Sequence, residues 1–351
     1  MAHDKNVLQK SGDLALISKY RNALMGVAAL IICFFHEFLP VFPSGTVMYD
    51  IEDFVIRVSF YGVDIFMLLS GMSVANSLIK DNNIGHFYAK RAKRILPIYL
   101  LSGIFMILFN GWSIKDYFLN ISGIRFFTES VDTYLWFVIA IIIFYLFAPL
   151  YQKLIEKTGR PMITFIVSFA VWYVVFLVLW NCIRSDFYYM IDRIPVFLLG
   201  MSIGNLINKG VKVKYRSVFW LGVVSSFIVG WLLSYMLNYY SYLYLFGTVL
   251  RCFPRILLGF GTAYLVAGLL DLVKQKWLLY VLEFFGSFCF ELYIVQRVFD
   301  AKIHYFLMDR EIWGVPRNLI MLVSLSLIAF ALSRIVNWTV DKVCSLDIKK
   351  H

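Results

Sequence analysis

The sequence predicts an all-α, polytopic membrane protein with about ten transmembrane helices and both termini in the cytoplasm. Three observations carry this. First, the 351 residues are 61% hydrophobic and only 16% charged, with a mean hydropathy of +0.75, where soluble domains are about a quarter charged. Second, the apolar residues gather into stretches long enough to cross a bilayer, which takes roughly 17–25 residues each. Third, lysine and arginine return in every second loop.

The spans fall near 22–39, 57–79, 95–111, 134–150, 161–181, 187–207, 217–236, 245–270, 277–297 and 313–338. With a cytoplasmic N-terminus, the even-numbered loops should be the basic ones. The arm before the first span has Lys5, Lys10, Lys19 and Arg21, and the 80–94 loop has Lys80, Lys90, Arg91, Lys93 and Arg94. The 151–160 loop follows with Lys153, Lys157 and Arg160, and the 208–216 loop with Lys209, Lys212, Lys214 and Arg216. Lys274 and Lys276 lie in the 271–276 loop, and Lys342, Lys349 and Lys350 in the tail. The opposite loops are acidic or poor in cations, as in "YDIEDF" (49–54) and "NYYSYLY" (238–244). The net charge of +11 is therefore a topology signal and not a nucleic-acid footprint. The lipid bilayer is the expected partner, with no nucleic acid.

The first 20 residues are polar, and no small-residue cleavage site follows the first apolar run, so that run is expected to remain as a helix. The five cysteines are scattered and form no CxxC, which supports neither a zinc site nor a disulfide framework. The chain reads as a single integral-membrane domain, 1–351, with a cytoplasmic arm at 1–20 and a cytoplasmic tail at 340–351.

Ionisable residues inside spans are costly and point to function. They are His36 in the first span, Asp64 in the second, Arg193 in the sixth, Arg251 and Arg255 in the eighth, and Glu283 and Glu291 in the ninth. Counted at 1.5 Å per residue along straight helices, His36, Asp64, Arg193, Arg251 and Glu291 share the outer half of the bilayer. Such a set predicts a polar cavity open to the outside. Each also has a plainer reading. His36 suits an interfacial snorkel. Glu37 is expected at the water boundary, because adjacent helical residues point about 100° apart. Asp64 suits an arginine partner, and Arg251 with Arg255 suits a brace against Glu291. At the cytoplasmic mouth of the third span, Arg91 and Arg94 are one turn apart. They read either as positive-inside anchors or as a clamp for a phosphate.

The ordered blocks "MGVAALIICFFH" (25–36), "YGVDIFMLLSGM" (61–72), "FYAKRAKRILPIYL" (87–100), "YLWFVIAIIIFYLFAPL" (134–150), "VFLLGMSIG" (196–204) and "GSFCFELYIVQ" (286–296) resemble the membrane-bound acyltransferase family 3. The resemblance covers about residues 20 to 340. It implies a bacterial plasma-membrane enzyme that moves acyl groups, commonly acetyl, from cytoplasmic acyl-CoA to hydroxyls of envelope glycans. The donor is acetyl-CoA or another acyl-CoA, with no permanently bound cofactor and no metal. The acceptor is a glycan or lipid-linked oligosaccharide. By the same resemblance His36 matches the family's histidine. Arg91 and Arg94 match its R-x-x-R pair near acyl-CoA. Asp64, Ser70 and Gly71 match the second-helix block, and Trp136 with Phe137 its W-F pair. Two positions depart. Many members have an arginine eleven residues before the histidine, where this chain has Met25; Arg21, one turn earlier on the same face, is the substitute. The last block often ends in histidine, where this chain has Gln296.

In the mechanism this implies, the phosphates of CoA stay on Arg91 and Arg94 while the pantetheine arm carries the thioester toward His36. An imidazole, with an ordinary pKa near ~6.5, is largely neutral at pH 7 and suits a general base. A nucleophilic acyl-histidine route is equally open. Asp64, or second Glu37, is the candidate to orient the ring. Arg193, Arg251 and Trp136 are candidate oxyanion donors, and Glu291 a further lining residue. Two other classes fit the same features: a secondary transporter or glycan flippase, and a non-catalytic relative of the family. A transporter would be marked by matching halves with paired helix breaks, and no convincing half-to-half match is visible.

Overall fold

The computed structural model describes residues 12–129, 135–179, 185–239 and 250–348. Lys5, Lys10, Cys182, positions 240–244 of the tyrosine-rich loop, Lys349 and Lys350 lie outside the described residues. Among the described residues there are helices and no strands. Eight helices are long and apolar enough to cross a membrane, and two bent pairs raise the number to ten. These ten coincide with the ten expected spans, and the chain is a multi-pass membrane protein.

Apart from the short turns Leu16–Lys19 and Ile124–Thr128, the helices in chain order are α1 (Arg21–Glu37), α2 (Val47–Val58), α3 (Gly62–Lys80), α4 (Ile84–Asn110), α5 (Ile114–Ile121) and α6 (Trp136–Thr158). They continue with α7 (Pro161–Leu179), α8 (Ser185–Ile191), α9 (Ile194–Asn208), α10 (Arg216–Tyr239) and α11 (Cys252–Val273). The last three are α12 (Lys276–Ser287), α13 (Cys289–Met308) and α14 (Gly314–Ile348). The end of the bundle carrying Arg91 and Arg94 is called here the basic end, and the end carrying His36 the far end.

The middle of the bundle is α3. Every residue from Tyr61 to Met72 is buried, because α1, α4, α6, α9 and α11 all pack around it. In a membrane the apolar tails of lipid compete with apolar side chains, so tight packing favours small residues where backbones meet. The closest partner of α3 is α9, and glycines make that contact. A methyl added to Gly71 would run into the Phe197 carbonyl oxygen, and one on Gly200 into the Leu68 carbonyl. A Cβ on Gly204 would lie 2.9 Å from the Met72 carbonyl. The same device joins α1 to α12, where Gly26 faces the backbone of Leu282 and Gly286 faces that of Asn22. The "SG" and "LLGMSIG" blocks are thus packing motifs as much as anything else.

Polar side chains near the basic end pair within this core. Gln152 of α6 and Asn205 of α9 exchange two hydrogen bonds, Nε2 to Oδ1 at 3.1 Å and Nδ2 to Oε1 at 2.9 Å. Asn208 donates to Asn76 of α3, and Tyr151 lies 3.2 Å from Ser202. The rim is the reverse. α7, α10 and α14 present large apolar side chains outward, such as Val178, Leu221 and Leu327. Such a surface belongs against lipid.

Between α4 and α6 the chain forms an amphipathic far-end turn. Ser113 and Asp116 make a reciprocal capping box at the start of α5, and Arg125 lies 2.6 Å from Asp116. The Ser113 hydroxyl and amide, then Arg125, hold the Asp116 carboxyl down to about 2. Pro97, in the "RILP" block, sits inside α4, where it removes the backbone hydrogen bond to the Lys93 carbonyl.

The α3–α9 contact is open to direct test. Gly71→Leu should prevent the close approach and cost more than about 1–3 kcal/mol, as overpacked cores do. The expected result is loss of monodisperse protein after detergent extraction, with Gly71→Ala intermediate. A Gly71→Leu protein with wild-type thermal stability would show that this contact does not set the fold.

Candidate active site

Two cavities lie at opposite ends of the same helices. The one toward the basic end is a narrow cleft with about 50 Å³ of free space, room for one or two waters. α1 supplies Arg21 and Met25, α3 supplies Ser70 and Ser73, and α4 supplies Arg91 and Arg94. Arg91 packs over the rings of Phe87 and Tyr145, at 5.3 and 5.4 Å from their centroids, and its Nη2 reaches the Ser73 carbonyl at 3.4 Å. The Nε groups of Arg21 and Arg91 are buried without a hydrogen bond. Three guanidiniums therefore converge, two of them with an unspent Nε donor, an arrangement suited to phosphate or pyrophosphate. Arg21 shares the cleft with the R-x-x-R pair, and Met25 lies one turn beyond it. The cation that lines the cleft from α1 is at position 21, and Met25 lines it beside Arg21.

The far-end cavity is larger, about 390 Å³. His36 lines it from the last turn of α1, with Ile32 and Phe35. Its ring meets Phe35 edge-on, centroids 4.8 Å apart. Trp136, Arg193, Arg251 and Arg255 line the other walls, with Arg57 of α2 at the rim.

The two cavities nearly meet. Trp136 lines the far-end cavity while the next residue, Phe137, lines the cleft; Val63 and Phe66 divide in the same way on α3. Phe137 packs against Phe66 and Tyr293, ring centroids 6.1 and 5.2 Å apart. This aromatic layer is the partition. One turn beyond Tyr293, Gln296 is 1% exposed, its amide near the Cys33 thiol. Ahead of Trp136, the buried Leu135 has φ +53°, a left-handed conformation that costs a side-chain-bearing residue about 1–2 kcal/mol. The strain sits where the Trp136–Phe137 pair is aimed at both cavities.

The floor of the far-end cavity is a set of buried ion pairs. Asp64, 0% exposed, lies 3.1 Å from Nε of Arg193. Asp192 lies 2.9 Å from Nε of Arg255. Arg193 also donates to the Tyr189 carbonyl at 2.8 Å and packs 4.9 Å from the Trp136 ring. Gly259 of α11 makes room for this contact, since a Cβ there would lie 3.2 Å from that of Asp64.

Four expectations change. Neither oxygen of Asp64 accepts a hydrogen bond, so it does not orient His36 directly; its partner is Arg193. Arg255 is braced by Asp192 and not by Glu291. Glu291 is not in the far half at all. The ninth span breaks by 61° between α12 and α13, and α13 runs on to Met308, so Glu291 lies near the start of the second segment. There it sits beside Arg94, among the cleft residues Cys289, Phe290 and Tyr293. A depth counted along one straight helix missed the break. Lastly, Glu37 is buried, 3% exposed. His36 and Glu37 do point apart, but Glu37 turns into α13 and α14 and not into water.

Asp192, Arg57, Arg317 and Asn318 were not among the expected site residues. For Asp192 the signal lay in "MIDRIP" (190–195), an acid beside an arginine at the start of a span. Arg317 and Asn318 clamp the end of α1 from α14. Arg317 donates to the Glu37 carbonyl and, at 2.8 Å, to His304 Nδ1. Asn318 pairs with both backbone groups of Leu39, at 3.2 and 2.9 Å. The orphan carbonyls that end a helix are thus satisfied next to His36. Cys33, Cys252 and Cys289 are buried. Among the described residues no cluster of histidine, cysteine and carboxylates has the form of a metal site.

A family model for the acyltransferase domain matches residues 19–338, which include both cavities. The chain belongs to acyltransferase family 3. It is therefore a membrane acyltransferase. No curated protein and no solved structure matches it.

The role of Asp64 in this acyltransferase can be separated from catalysis. Asp64→Asn leaves Arg193 buried and uncompensated, which should cost about 3–5 kcal/mol. Heating in detergent followed by size exclusion reads this as lost folded protein. Combining Asp64→Asn with Arg193→Gln should recover much of the loss. A double variant no more stable than Asp64→Asn would mean that the two are not partners.

Proposed function

We propose that this acyltransferase is an O-acyltransferase, acetyl being the expected group, that carries an acyl unit from cytoplasmic acyl-CoA to a hydroxyl of an envelope or exported glycan. The observation that carries the reading is the pair of back-to-back cavities: an arginine-lined cleft at one end, a histidine-lined cavity at the other, one aromatic layer between. The basic end is cytoplasmic by the charge rule, in the bacterial plasma membrane. Arg21, Arg91 and Arg94 hold the CoA phosphates, with Glu291 adding a negative charge near Arg94.

From Arg21 to His36 is about 22 Å along α1, at 1.5 Å per residue. An extended pantetheine arm covers a distance of this order. The cleft is too narrow to admit it as it stands, so binding parts the Phe66, Phe137 and Tyr293 layer. Gln296, a buried amide near the layer, suits the amides of that arm.

His36 takes the proton of the acceptor hydroxyl as its oxygen attacks the thioester carbonyl. The C–O bond forms, the C–S bond breaks, and the proton passes from the imidazolium to the CoA sulfur. Arg193 and the indole N–H of Trp136 stabilise the oxyanion in a site of low dielectric. Asp64 acts through Arg193 by holding that guanidinium in place, and Arg317 and Asn318 act through the end of α1 by holding His36.

The test uses the purified full chain in lipid nanodiscs, acetyl-labelled acetyl-CoA and glycan extracted from the native envelope. His36→Gln should lower transfer by about 10²–10⁴-fold, the usual worth of a general base. Arg91→Ala and Arg94→Ala should raise KM for acetyl-CoA more than they lower kcat. Transfer by His36→Gln at the wild-type rate would remove His36 from the chemistry. A wild-type protein that neither binds acetyl-CoA nor acylates would favour a transporter.

A further inference from the structure

The far-end cavity has an unusual chemistry for a site that receives a sugar. Four guanidiniums line it, from Arg57, Arg193, Arg251 and Arg255, together with His36. Every other lining group is neutral, and among the described residues none is a carboxylate or a carboxamide. Neutral sugars are bound by groups that both accept and donate, because each hydroxyl does both. This wall is nearly all donors.

The charges are also not balanced. Asp53 lies 2.6 Å from Arg57, Asp64 3.1 Å from Arg193 and Asp192 2.9 Å from Arg255. Arg251 has no carboxylate partner among the described residues. It lies one turn from Arg255, so the two cations share a helix face. Arg255 is itself only 5% exposed, and its Nη1 makes no hydrogen bond. A buried guanidinium with an unspent donor, beside an unpaired one, is a half-built anion site.

We propose that the acceptor is anionic, carrying a carboxylate or phosphate that seats between Arg251 and Arg255 and so presents a nearby hydroxyl to His36. The proposal rests on the acyltransferase reading for the role of His36, but the anion site itself does not. Two sources share this chemistry: an acidic sugar, such as a uronic acid, and the phosphate that links a sugar to its carrier. Both offer planar or tetrahedral oxygens to a paired-arginine clamp.

Binding separates the possibilities. Purified full-length protein in nanodiscs is titrated with methyl glucuronide, glucose 1-phosphate and methyl glucoside, and separately with acetyl-CoA and succinyl-CoA. Wild type should bind one of the two anionic sugars about tenfold or more tightly than methyl glucoside, as a charge-assisted contact allows. Arg251→Gln should lose that preference and Arg251→Lys should keep part of it. A preference for the glucuronide names an acidic sugar, and one for glucose 1-phosphate a phosphate-linked one. Equal or absent binding of all three sugars overturns the proposal, as does an unchanged preference in Arg251→Gln. If succinyl-CoA binding alone depends on Arg251, the anion belongs to the acyl group and the proposal also fails. Acetyl-CoA binding is read on the same preparations, so a failed donor site is distinguished from a failed anion site.

Discussion

The constraint on which the rest depends is a carboxylate with no water. Asp64 sits on the most enclosed span among the described residues, and its side chain is 0% exposed. A lone charge there would be costly by several kcal/mol. It is tolerated because Arg193 enters from the start of α9, where its neighbour Asp192 in turn holds Arg255 of α11. Those approaches need close helices, and the close helices need Gly71, Gly200 and Gly259. The glycines and the ion pairs are thus one device. It fixes the floor of the far-end cavity and leaves one edge of each guanidinium turned toward it. Removing either half of the device acts on the other.

A second consequence concerns the partition. The aromatic layer is built from adjacent or one-turn-apart residues that face opposite cavities: Trp136 and Phe137, Val63 and Phe66. A side chain on such a wall cannot move without affecting both sides. Filling the cleft pushes on Phe137, and Phe137 follows directly on Trp136, which stacks on Arg193. The strained Leu135 precedes both. The cleft and the electrostatics around His36 are mechanically adjacent, without a long pathway between them.

Much of this was legible in the sequence, for identifiable reasons. The ten spans are visible because lipid demands long apolar runs. Arg21, Arg91 and Arg94 are legible because helical spacing and the charge rule both place them at one mouth. What failed was partnership and depth. The arginine partner expected for Asp64 is present, but nothing local to Asp64 says that it is Arg193. Asp192 reads as an interfacial acid until Arg255 is seen against it. Glu291 went to the wrong half because the break at Phe288 leaves no proline or run of glycines to mark it. Glu37 looked solvated because α14, more than 250 residues later, is what covers it.

The position of His36 follows from these constraints. It lies in the last turn of α1, where the helix's own carbonyls lack intrahelical partners. Arg317 and Asn318 supply the missing donors from α14, so the turn is held without a side chain entering the cavity. Its neighbour Glu37 faces away into protein, and its neighbour Phe35 packs on the ring. The imidazole is thus kept at a boundary: anchored from behind by polar contacts, open in front to an arginine-rich space. A histidine deeper along α1 would meet the aromatic partition and lose the far-end cavity. One a turn later would leave the helix and lose its support. The stretch where both conditions hold is short, and His36 occupies it.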